Sequence, residues 1–160
     1  MIKFLVIDVD GTLTDGKVYI GNDGELCKAF YVRDGIGIKA VIRNGIIPVI
    51  LTSRESEIVI RRCEELGIDH IYQGAEDKKT ALTEIMDTLS ISPDELAYIA
   101  DDINDLESMK LAGVRACPND ASPEIRRISD FVCFSNGGEG AVREFCEYIL
   151  QQNIEGGDHE

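Results

Sequence analysis

Short apolar runs punctuate the chain at residues 4–7, 46–51, 71–72, 96–100 and 131–134, with a mixed short run at 114–117. Runs of this length suit strands buried on both faces of a sheet. Between them, apolar residues recur at helical spacing. Ala81, Leu82, Ile85 and Met86 share one face of a helix expected over 77–89, and Ile58, Val59 and Cys63 do so over 55–66. Further helices are expected over 35–44, 104–112, 123–128 and 141–152, the first capped by Asp34 and closed by Gly45. Ser92-Pro93-Asp94-Glu95 reads as one more helix start. Within 17–32, two extended pieces meet at Asn22-Asp23-Gly24, a hairpin turn signal. Strands alternating with helices predict an α/β fold. The expectation is a Rossmann-like, doubly wound, mostly parallel sheet with helices on both faces and a small β-hairpin insert after the first strand. It occupies a single domain over 1–152, with the hairpin at 17–32 and a disordered tail at 153–160.

The polar positions matter most where they end a buried run. Asp8 and Asp10 follow the first run, Thr52 and Ser53 the second, and Asp101 and Asp102 the fourth. In a parallel sheet all three sets fall on one edge, where such folds place their ligand crevice. A buried charge there must be paired or bound to a metal. Asp8, Asp10, Asp101, Asp102 and Asp105 are too many carboxylates to share one crevice unpaired. Oxygen ligands without histidine or cysteine nearby favour Mg2+ over zinc. His70 and His159 are read as surface residues. A metal held by carboxylates suits phosphate chemistry, in which Thr52, Ser53 and either Lys78 or Lys79 can grip phosphate oxygens. An aspartate can also act as a nucleophile, with a second carboxylate two residues on as acid and base.

Composition narrows the partners. A formal net charge of −14, from 16 basic and 30 acidic residues, argues against nucleic acid and against an anionic membrane surface. With 44% hydrophobic residues the chain can bury a proper core. The five cysteines form no C-x-x-C pair, which disfavours structural zinc and a disulfide scaffold. No apolar run is long enough to span a bilayer, and a cytoplasmic location is expected.

Taken in order, DVDGTLTDG at 8–16, Thr52 in LTSRES, Lys78 in QGAEDKK and ADDINDL at 100–106 resemble the four motifs of the haloacid dehalogenase superfamily phosphatases. The resemblance runs to about Gln152. Within that superfamily the chain resembles the small cap-less phosphatases of 3-deoxy-D-manno-octulosonate 8-phosphate (Kdo8P) and their nonulosonate 9-phosphate relatives, and the closing GGEGAVREF is similar to the same group. The resemblance implies Asp8 as nucleophile and Asp10 as general acid and base, with its backbone carbonyl on Mg2+. It implies Asp101 as a further metal ligand, with Asp102 and Asp105 behind it. Thr52, the amides of Val9 and Ser53, and Lys78 would hold the phosphoryl group. It also implies a homotetramer whose hairpins build a central barrel, with the 137–140 segment, Gly138 included, reaching a neighbour's cleft. Arg54 resembles the Kdo8P enzymes, where it would read a substrate carboxylate; the nonulosonate enzymes tend to carry an acidic residue there. The chain departs from the family in having Ser53 and Ala100 where glycine is usual. Two other readings stay open: the same chemistry on a nonulosonate 9-phosphate, and a non-catalytic tetramerisation module.

Overall fold

Strand β1 (Phe4–Ile7) lies in the middle of the molecule, with Leu5, Val6 and Ile7 wholly excluded from solvent. The structure is a computed structural model and describes residues 1–157. After a tight loop over 8–16 comes the hairpin, β2 (Tyr19–Gly21) and β3 (Gly24–Cys27), turning at Asn22 and Asp23. Helix α1 (Val32–Arg43), β4 (Ile47–Leu51), α2 (Glu57–Leu66), β5 (His70–Tyr72) and α3 (Lys78–Leu89) form one winding. The chain then crosses to β6 (Leu96–Ile99), α4 (Leu106–Met109), β7 (Val114–Cys117), α5 (Pro123–Ile128), β8 (Phe131–Val132) and α6 (Ala141–Gly157). The sheet order is β5-β4-β1-β6-β7-β8, with every pairing parallel. The α/β, doubly wound fold and its hairpin insert are therefore as the apolar pattern predicts.

Alternation along β1 explains the two layers. Leu5 and Ile7 face a core shared with Ile38 of α1, Val59 and Cys63 of α2, and Phe145 and Ile149 of α6. Val6 faces the other core, with Leu82 and Ile85 of α3, Met109 of α4 and Ile125 of α5. A side-chain period of two lets one buried strand serve both faces. Ile7 pairs with Ile50 on one side and Ile99 on the other. That register brings the polar residues after β1, β4 and β6 to one edge.

Several boundaries differ from the sequence expectation. Helix α1 begins at Val32, not near Gly35, and Asp34 lies inside its first turn. Asp34 caps a different helix: its Oδ1 accepts the backbone N–H of Arg143, in the first turn of α6, at 3.0 Å. Sequence spacing reveals a local cap and not one 109 residues away. Residues 92–95 make only a single turn before β6. The helix expected over 104–112 shortens to a turn at Ile103–Asp105 and the four residues of α4, because i→i+3 bonds to Leu111 and Ala112 tighten its end. Helix α6 runs on to Gly157, through the first part of the tail expected to be disordered. Asn153 anchors it by accepting from the Ile2 N–H at 2.7 Å and donating to the Ile2 carbonyl at 2.8 Å. The rest of that tail, His159 included, lies outside the described residues.

Candidate active site

The loop after β1 turns at Gly11, whose φ of +92° places it in the left-handed region that favours glycine. A Cβ there would lie 2.0 Å from Asp101 Oδ2, so the close approach of the two loops also demands glycine. Gly137 answers from the far side: a Cβ on it would meet the Gly11 carbonyl oxygen at 1.8 Å. Gly138 donates its N–H to the Thr12 carbonyl at 3.1 Å, and a Cβ on it would strike the backbone of Thr14 and Asp15. The 137–140 segment thus packs on its own chain's loop. Gly137 and Gly138 serve close backbone-to-backbone contact within the chain.

Behind the loop lies a knot of buried charge. Lys78 Nζ donates to Asp8 Oδ1 at 2.8 Å and to both oxygens of Asp105 at 2.9 Å. Lys78 is placed by Asp77, which caps α3 by accepting from the Thr80 N–H. Of the two candidate lysines, Lys78 is 2% exposed, whereas Lys79 faces solvent. Tyr98 on β6 donates its hydroxyl to Asp105 Oδ1 at 2.6 Å and lies 3.1 Å from Ser108 Oγ. Burial alone would lower the Lys78 ammonium, but Asp8 and Asp105 outweigh it and hold the group above its ordinary range.

Asp101 completes the cluster. Thr12 Oγ1 donates to its Oδ1 at 3.3 Å. Burial first, and then the adjacent Asp8 carboxylate, push the Asp101 carboxyl well up. Two carboxylates forced together in this way fit a hard divalent cation, which relieves their repulsion. Among the described residues no three metal-binding side chains gather at one point. The carboxylates brought together here are Asp8 and Asp101. The Asp10 side chain is engaged elsewhere, accepting from Lys28 Nζ at 2.6 Å. Oxygen donors of this kind suit Mg2+.

The remaining candidates divide. Thr52 is 2% exposed, and its backbone bonds to Tyr72 and Ala75 fix it at the end of β4. Ser53 and Arg54 are exposed beside it, and the charge of Arg54 is felt by Glu25 on the hairpin. Asp105 is buried in the knot, whereas Asp102 faces solvent and accepts from the Ile103 N–H at 2.7 Å. Ala100 is wholly buried in the core beneath, and Ser53 has solvent for its hydroxyl, so both departures from glycine are accommodated. Sequence reasoning missed Tyr98, Thr12 and Lys28. Tyr98 had a signal, as the only hydroxyl inside the LAYIA run. Lys28 had none, because only the folded hairpin brings it to Asp10.

Comparison with known proteins places this cluster in context. Residues 68–145 match the haloacid dehalogenase-like hydrolase family model. The chain is 42% identical over 149 residues to the 3-deoxy-D-manno-octulosonate 8-phosphate phosphatase of Escherichia coli K12, covering 93% of this chain and 79% of that protein. It is 43% identical over 157 residues to that of Yersinia pestis, covering 97% and 84%. The crystal structure of the Moraxella catarrhalis phosphatase, in complex with magnesium, phosphate and KDO, superposes with a TM-score of 0.90 at 45% identity, over 94% of this chain and 86% of that one. The cobalt-bound phosphatase from Haemophilus influenzae gives a TM-score of 0.90 at 39% identity, over 94% and 88%.

Proposed function

The chain belongs to the 3-deoxy-D-manno-octulosonate 8-phosphate phosphatases of the haloacid dehalogenase-like hydrolases, and we propose that it hydrolyses Kdo8P to the free sugar acid and inorganic phosphate. It is a phosphoric monoester hydrolase that uses Mg2+. The Lys78–Asp8–Asp105 knot at the sheet edge is the observation that carries this reading.

Asp8 is placed to attack phosphorus. Lys78 holds one of its oxygens, which fixes the carboxylate's orientation and leaves the other for attack. Attack forms an Asp8 Oδ–phosphorus bond, an acyl phosphate, as the bond from phosphorus to the sugar oxygen breaks. Asp10 gives the departing sugar oxygen its proton, then takes one from the water that cleaves the aspartyl-phosphate. Thr52 and the amides of Val9 and Ser53 bind the transferring group, with Gly138 lining the loop beside them. Asp105 balances Lys78, and Asp102 shapes the turn that carries Asp105. Asp8, Asp101 and the Asp10 carbonyl would hold Mg2+, which would supply charge neutralisation for the phosphate. Arg54, exposed beside Thr52, pairs in this reading with the substrate carboxylate in a fork geometry.

We place the enzyme in the cytoplasm as a homotetramer. Its cysteines are free, which suits a reducing compartment. The hairpin exposes Tyr19, Ile20 and Leu26, an apolar surface that suits contact with other subunits. Beside it a groove of about 530 Å³ runs between Leu26 and Ile58. Phosphate release with Mg2+ from Kdo8P, measured beside N-acetylneuraminate 9-phosphate, 2-keto-3-deoxynononate 9-phosphate and a hexose phosphate, tests the reading. Preference for Kdo8P is expected. Preference for a nine-carbon acid would keep the chemistry and reject the substrate.

A further inference from the structure

The cleft holds a second buried lysine. Lys28 follows directly on β3, in a hairpin that is otherwise mostly exposed, yet its side chain is only 1% exposed. Its Nζ donates to Asp10 Oδ1 at 2.6 Å and lies 3.1 Å from Glu25 Oε2. Glu25 Oε1 in turn accepts from Ser56 Oγ at 2.5 Å. Ser56 caps α2, and its backbone N–H donates to Gln73 Oε1 at 2.6 Å. A chain of contacts, Asp10 to Lys28 to Glu25 to Ser56, therefore crosses from the loop after β1 to the helix that follows Thr52. The hairpin supplies both middle members.

Burying an ammonium is costly unless it is fully paired, and charge-assisted contacts fix orientation as well as energy. Here the pairing divides the two loop aspartates between two lysines. Lys78 holds Asp8 and Asp105, whereas Lys28 holds Asp10 and Glu25. A rotatable carboxylate that must meet the departing oxygen loses rate if it is free to point elsewhere.

We propose that Lys28 is a positioning residue for Asp10: clamped by Glu25 and Ser56, it fixes the orientation of the Asp10 carboxylate, so that the hairpin helps set the rate of ester cleavage. The proposal rests on the reading of Asp10 as general acid and base. Its signature is a dependence on the leaving group. A sugar alkoxide needs a proton as it departs, whereas p-nitrophenolate leaves readily without one.

The test measures kcat and KM with Mg2+ for Kdo8P and for p-nitrophenyl phosphate, in wild type, Lys28→Met, Asp10→Asn and the double variant. Far-ultraviolet circular dichroism and gel filtration are run on each. Lys28→Met is expected to lower kcat on Kdo8P by about tenfold or more, with a loss on p-nitrophenyl phosphate at least about fivefold smaller and KM changed by less than about threefold. In the Asp10→Asn background, Lys28→Met should cost little more, because the two act as one unit. Equal losses on both substrates, or full additivity, would assign Lys28 a structural role and overturn the proposal. A slow Asp10→Asn beside an unimpaired Lys28→Met overturns it too, while leaving the Asp10 reading intact. An unimpaired Asp10→Asn rejects the underlying reading itself. Should Lys28→Met fail to fold, Glu25→Gln weakens the clamp while keeping the lysine. It should show the same substrate-selective loss, and its absence overturns the proposal.

Discussion

Two lysines meet two aspartates in this cleft, and they are supported in opposite ways. Lys78 rises from the first turn of α3 into the centre of the fold, where it pairs with Asp8 and with Asp105, itself held by Tyr98. Lys28 comes from a two-stranded hairpin whose Tyr19, Ile20 and Leu26 are exposed. The Asp8 side of the cleft is thus fixed by the parallel sheet itself. The Asp10 side is fixed by an insert that pairs with no strand of that sheet, and a lone two-stranded ribbon has little stability of its own. The difference separates two requirements of the proposed chemistry. The proposed nucleophile is built into the core, whereas the proposed proton donor is held by a segment outside the main sheet.

The largest effect that would sharpen this contrast comes from Lys78→Met. It leaves Asp8 and Asp105 buried without their cation. The protein should lose about 3–5 kcal/mol of stability, with hydrolysis reduced by about a hundredfold or more. Denaturant unfolding and phosphate release check both. Lys28→Met should cost far less stability, because Asp10 and Glu25 can turn toward solvent. Similar losses in the two variants would break the contrast between core and insert.

A smaller effect tests a third buried carboxylate, which has no lysine. Asp34 is 1% exposed, its Oδ2 has no hydrogen-bond partner among the described residues, and burial raises its carboxyl from 3.8 to about 6. The native state therefore holds the Asp34 proton more tightly than the unfolded chain does. The resulting stabilisation is full below the unfolded value and is lost as pH rises through the folded one. Asp34→Asn removes this titration. Between about pH 4 and pH 7, its unfolding free energy should improve relative to wild type by up to about 3 kcal/mol. A difference that stays flat with pH would show that Asp34 does not carry the shift.

How much of this was legible beforehand follows from sequence distance. The run FLVI ending in Asp8 and Asp10, and its counterparts ending at Thr52 and Asp101, disclosed a parallel sheet with chemistry at one edge. Each signal is local, and parallel pairing then brings the ends together. The choice of Lys78 over Lys79 was also open to reading, through the position of Lys78 in the QGAEDKK motif. What stayed hidden were contacts between distant segments. Asp34 looks like the start of α1 and instead caps α6. Lys28 looks like a hairpin charge and instead grips Asp10. The close approach of Gly138 to Thr14 and Asp15 has no mark in its neighbouring residues. A pattern of three or four residues cannot reveal a partner that only the completed fold supplies.

The central claim is that Asp8 forms the bond to phosphorus. Its most direct test is Kdo8P hydrolysis by purified Asp8→Asn beside wild type, each with saturating Mg2+ and with fold and oligomer size verified. The account predicts loss of turnover by at least about a thousandfold with the fold unchanged, since removing a nucleophile removes the covalent route. Hydrolysis at the wild-type rate would contradict it.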